Sequence, residues 1–105
     1  MIALIKNKLK EIQDVCKEHH VLSLYLIGSA AKEEKDFSPD SDVDFLYRFD
    51  KSNIGEMDYA DYYFGLLFKL QELLNRKVDL VPEEKLKNPF FMESINKNKL
   101  KIYES

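Results

Sequence analysis

Apolar residues recur at helical spacing through the first twenty positions. Ile2, Ile5, Leu9, Ile12, Val15, Cys16 and His19 fall on one stripe, with Lys6, Lys10, Asp14 and Lys17 between them. This spacing predicts one amphipathic helix that ends at His19-His20. The rhythm then changes. VLSLYLIG is rich in residues that suit a pleated strand and closes on Gly28. Residues 32–41, KEEKDFSPDS, are polar and contain Pro39, so they predict a loop. In DVDFLYRF the pattern alternates. Val43, Phe45, Tyr47 and Phe49 face one way, and Asp42, Asp44, Leu46 and Arg48 the other, as in a strand.

The strongest helical stripe follows a polar link. It comprises Tyr59, Tyr62, Tyr63, Leu66, Leu67, Leu70, Leu73 and Leu74. Asp58 and Asp61 lie near its start and Arg76 and Lys77 near its end, as the helix dipole favours. A row of tyrosines at this spacing predicts packing rather than a cofactor contact. KVDLVP reads as a third strand closed by Pro82, residues 83–97 as helical pieces interrupted at Asn88-Pro89, and LKIYE as a last strand. This order predicts an α/β (α+β) fold, a small sheet flanked by helices. With 105 residues, a single domain over 1–105 is expected.

Composition narrows the function classes. Hydrophobic residues make up 45% and charged residues 33%, an ordinary globular mix. No apolar run is long enough to span a membrane. The first twenty residues mix lysine and glutamate without a small-residue cleavage site, unlike a signal peptide. The single Cys16 has no partner for an internal disulfide and sits on the apolar stripe, so a cytoplasmic protein with a core cysteine is expected. The adjacent His19 and His20 read as an exposed helix end rather than a metal site. The net charge of −3 argues against direct nucleic acid binding, although Lys85 to Lys101 is locally basic. An acidic chain still binds a nucleotide when a cation stands between its carboxylates and the phosphates.

That cation has a candidate place. Asp42 and Asp44, at i and i+2 of a strand, set two carboxylates side by side, where they repel. A divalent ion reverses the sign of the interaction, and hard oxygen donors suit magnesium or manganese. Asp79 lies opposite in phase to Val78 and Leu80, and supplies a third carboxylate on another strand. Two metals about 3.5–4 Å apart clamp an in-line phosphoryl displacement. Gly28 permits a tight turn after the first strand, and Ser29 opens a short helical turn whose free N–H groups suit terminal phosphates. Two other readings fail. Asp40, Asp42 and Asp44 start like an EF-hand, but Phe45 and Lys51 stand where glycine and glutamate are required. A Walker loop needs a Gly-Lys pair that does not follow Gly28.

GSAAKEEKDFSPDSDVDF together with VDLV resembles the minimal nucleotidyltransferases of the DNA polymerase beta-like superfamily, and the resemblance covers nearly the whole chain. It implies the minimal nucleotidyltransferase fold, with a mixed sheet, and transfer of a nucleoside monophosphate from a triphosphate with two magnesium ions. It implies that Asp42, Asp44 and Asp79 are the catalytic, metal-holding residues, with Asp79 on the ion that activates the nucleophile. It implies that Gly28 and Ser29 contact the triphosphate, with Lys32 as the basic residue of the turn. Glu33 stands where the family often has glycine, and 12 residues separate Ser29 from Asp42. In size the chain is similar to the antitoxin half of HEPN/nucleotidyltransferase toxin–antitoxin pairs. That implies ATP as substrate and a HEPN-domain ribonuclease toxin as partner, silenced by AMP on a tyrosine. Two alternatives stand beside it: a binding module that neutralises its partner by covering it, and a small-molecule nucleotidyltransferase. The second usually carries an added substrate domain.

Overall fold

The computed structural model describes residues 1–105. Four strands form a mixed sheet in the order β3-β2-β1-β4: β1 Val21–Ile27, β2 Val43–Phe49, β3 Val78–Pro82 and β4 Leu100–Glu104. β1 pairs antiparallel with β2 and β4, and β2 pairs parallel with β3. A parallel pair needs a crossover, which is supplied by the 16-residue helix Tyr59–Leu74.

The first helical stripe is one helix by periodicity and two in space. α1 spans Ala3–Lys6 and α2 spans Leu9–Glu18. The break falls at Asn7, a weak helix former, and the Lys8 N–H closes on the Ile5 carbonyl instead at 3.1 Å. The bend buries Ile2 and Ile5 with Ile12, Val15 and Cys16. His20 turns the chain into β1 with φ 55°.

The helix Tyr59–Leu74, α3, packs with α2 on one face of the sheet. Leu66, Leu70 and Leu74 meet Val43, Phe45, Val78 and Leu80 there, in one cluster of 20 buried residues. Asn75 ends α3 in the left-handed region at φ 50°, ψ 44°, a C-cap that asparagine tolerates. The other face is thinner. α4, Pro89–Asn98, lays Ile95 against Ile27 and Leu46. Asn88-Pro89 starts this helix. The Asn88 Oδ1 accepts from the N–H groups of Phe90 at 3.0 Å and Phe91 at 3.3 Å, and proline needs no donor at the first helical position. No helix is long and apolar enough to cross a membrane.

Candidate active site

Strand register sets the centre of the site. Asp44 lies opposite Asp79 across the parallel pair and opposite Ile27 across the antiparallel pair. One rung of the sheet therefore carries Ile27, Asp44 and Asp79 in a row. Val43, Phe45, Val78 and Leu80 are buried under α3, so the pleat turns both aspartates to the α4 face. Asp44 is half-buried and Asp79 exposed.

The chain leaves β1 beside this rung. Gly28 has φ 70°, a region that side-chain-bearing residues avoid. A Cβ there would lie 2.7 Å from the Asp44 Oδ2. Glycine is therefore required both by the turn and by the approach of the carboxylate. Gly28–Ala31 form a short 3-10 turn, held by Ala30 at 1% exposure. Gly28, Ser29, Lys32, Asp44 and Asp79 line one cleft of about 320 Å³. Five of the six residues singled out from sequence thus meet at a single place.

Asp42 does not line that cleft. Its carboxylate lies 4.0 Å from the Lys77 Nζ, an exposed pair. No three His, Cys, Asp or Glu side chains converge closely enough to hold a metal ion. Asp44 still senses the other two acids. Asp44 is raised above its ordinary value of 3.8, first by burial, then by the charges of Asp79 and Asp42. Carboxylates are hard oxygen donors and suit a divalent cation, which would favour the charged form of Asp44.

α4 forms the opposite wall through Phe91, Ser94, Ile95 and Asn98, with Lys99 just beyond it. None of these is among the residues that the sequence singles out. Their spacing marks one helix face, but nothing in it says that the face meets the aspartates. The Lys99 ammonium lies 4.5 Å from the centre of the Tyr25 ring.

The nucleotidyltransferase domain family matches residues 9–102. Two relatives from Methanocaldococcus jannaschii carry the name "Putative protein adenylyltransferase". One, MJ1379, is 30% identical over 90% of this chain and 90% of its own. The other, MJ0128, is 35% identical over 92% and 93%. The fold is similar to a solved structure described as a "putative minimal nucleotidyltransferase", with TM-score 0.70, 26% identity, and 94% and 95% of the two chains covered. It is also similar to a chain in the structure of the tri-AMPylated Shewanella oneidensis HEPN toxin in complex with MNT antitoxin. There the TM-score is 0.61 at 15% identity, over 95% of this chain and 72% of that one. With the family match running over residues 9–102, the chain belongs to the nucleotidyltransferase domain family.

Proposed function

We propose that this nucleotidyltransferase is a metal-dependent protein adenylyltransferase. It moves AMP from ATP to a tyrosine hydroxyl of a HEPN-domain toxin and so acts as that toxin's antitoxin. The observation that carries the reading is the pairing of Asp44 with Asp79 across one rung, with the Gly28-Ser29 turn against it in the same cleft. The relatives named as protein adenylyltransferases support the choice of reaction. The AMP-bearing HEPN toxin in a complex of similar fold supports the choice of acceptor.

In this reading Asp42, Asp44 and Asp79 would hold magnesium or manganese. When bound, the metal stabilises charge on the α-phosphoryl group and eases ionisation of the attacking hydroxyl. The chain's own groups do the rest. The Ser29 hydroxyl and the N–H groups of its turn hold the outer phosphates, and the Lys32 ammonium offsets their charge. Ile27 and the α4 face bound the cleft, so that the α-phosphorus faces the rung. A tyrosine hydroxyl has an unperturbed pKa of about 10, so it needs help to attack at neutral pH. Its proton passes to the Asp79 carboxylate. The oxygen–phosphorus bond forms as the bond to pyrophosphate breaks, and pyrophosphate leaves. Asp79 is exposed, so a protein acceptor reaches it without entering a deep pocket.

The test is transfer of label from α-labelled ATP to the partner, with magnesium and with chelator. Wild type is expected to label the partner only with the metal. Asp44→Asn and Asp79→Asn are expected to label it at background. Labelling that survives either variant would remove the rung from the chemistry.

A further inference from the structure

Arg76 lies in the turn between α3 and β3, three residues before Asp79. It takes no part in any ion pair with an acidic side chain. Its guanidinium faces main-chain carbonyls instead. Nη1 donates to the Pro39 carbonyl at 2.6 Å, and it lies 3.3 Å from the Ser41 carbonyl and 3.4 Å from that of Ser38. The same group stands over the Phe37 ring, 4.9 Å from its centre. One side chain therefore grips four of the five residues 37–41, which lead directly into Asp42.

The grip has a geometric consequence. The segment between Ser29 and Asp42 is mostly exposed, and past the first turn its one regular piece is the short 3-10 turn Glu34–Asp36. Its far end is the approach to β2. The Val43 N–H donates to the Lys77 carbonyl at 3.0 Å, and this bond opens the register that sets Asp44 opposite Asp79. Arg76 and Lys77 thus join the Asp79 turn to the Asp42 loop, Arg76 by side chain and Lys77 by backbone. Arginine suits the task because its planar fork serves several carbonyls and stacks on an aromatic ring at once. A lysine ammonium is a compact charge on a flexible stem, without the planar face that holds the guanidinium flat on the ring while it bonds the carbonyls.

We propose that Arg76 is a positioning residue of the carboxylate site: its guanidinium fixes the end of the 37–41 loop against the turn that carries Asp79, and so sets the start of β2 that places Asp44 opposite Asp79. The inference rests on the nucleotidyl transfer reading. It assigns Arg76 no contact with substrate or metal. Groups that orient metal-holding side chains typically affect metal affinity by 10–100-fold when removed, and an effect of about tenfold is expected here.

The experiment titrates Mn²⁺ into the full chain with a non-hydrolysable ATP analogue, followed by electron paramagnetic resonance. Melting curves and circular dichroism run in parallel. Arg76→Lys, Arg76→Gln and Phe37→Leu are compared with wild type. Arg76→Lys and Arg76→Gln are both expected to keep the wild-type circular dichroism and to need about ten times more Mn²⁺ for half-saturation. Phe37→Leu, which removes the stack but leaves the fork, is expected to shift less. Excess Mn²⁺ is expected to restore AMP transfer in Arg76→Gln but not in Asp44→Asn. A purely structural role would lower the melting temperature and leave Mn²⁺ half-saturation unmoved, and that result overturns the proposal. Wild-type affinity in Arg76→Lys with a loss only in Arg76→Gln also overturns it, since charge and not the fork would then be acting. If wild type itself binds no Mn²⁺ with the nucleotide, the nucleotidyl transfer reading fails first, and the two failures are told apart.

Discussion

Replacing Gly28 with alanine tests the turn and the carboxylate together. Two costs follow from the geometry. The first is backbone strain. At φ 70° an alanine sits in the left-handed region, at a cost of about 1–2 kcal/mol. For a chain of this size, 1 kcal/mol moves the midpoint by roughly 4–8 °C, so a fall of about 4–16 °C is expected. The second is displacement. The new Cβ would stand 2.7 Å from the Asp44 Oδ2, while ordinary contact begins at 3.4 Å, so the oxygen must retreat by the difference of 0.7 Å. A misplacement of about 1 Å at reacting groups can cost on the order of 10²-fold in rate. Gly28→Ala is therefore expected to stay folded at 25 °C and to transfer AMP roughly 10–100 times more slowly. Differential scanning fluorimetry and transfer of label from α-labelled ATP measure the two effects separately. Wild-type transfer in Gly28→Ala would refute the argument, because Asp44 would then not need its observed place. A rate loss that merely matches the unfolded fraction would refute it as well.

Other outcomes follow from the same geometry. Asp44→Asn is expected to abolish transfer while melting at or above the wild-type temperature in chelator, because a half-buried charge and two repulsions are removed. The sign with pH is definite. A carboxyl raised in the folded state binds its proton more tightly there, so the wild type loses stability relative to Asp44→Asn as pH rises from the ordinary value of 3.8 through the raised one. Paired melts from pH 3 to pH 8, a range of about 5 units around that value, read this directly. Ser29→Ala removes a donor to charged phosphate, an interaction of about 1.5–3 kcal/mol, so calorimetry with a non-hydrolysable ATP analogue and magnesium is expected to show affinity lowered by at least tenfold. Unchanged affinity would place the phosphates elsewhere. Asn88→Ala removes the cap of α4 and is expected to cost about 1 kcal/mol. The same variant is expected to weaken the ATP analogue, because α4 walls the cleft.

Much of this site was legible from patterns of period two. The alternation in DVDFLYRF places Asp44 on the face opposite Phe45, and the same rule places Asp79 opposite Val78 and Leu80. Both strands have one well-buried face, so their phase is strongly specified. Gly28 stood out because few residues suit a turn at the end of a strand. What stayed hidden was tertiary. The apolar stripe passes from Ile5 to Leu9 without a fault, so periodicity carries no sign of the break at Asn7. Ser94 and Asn98 share a helix face with Phe91 and Ile95, but only the packing of Ile95 on Ile27 and Leu46 brings that face to the aspartates. Arg76 read only as a cation at a helix end, because its partners are main-chain carbonyls, which every sequence has. Asp42 was expected beside Asp44, yet its side chain pairs with Lys77, a contact set by the parallel register.

The central claim is that this chain silences its partner by chemistry at the Asp44–Asp79 rung. The most direct measurement is the intact mass of the proposed HEPN partner after incubation with this chain, ATP and magnesium, alongside that protein's ribonuclease activity. The account predicts a gain of one or more AMP groups on a tyrosine, a matching loss of ribonuclease activity, and neither effect with Asp79→Asn, even where the two proteins still bind. Full neutralisation by Asp79→Asn, without ATP and with no change in mass, would contradict it and leave a protein that works by covering its partner.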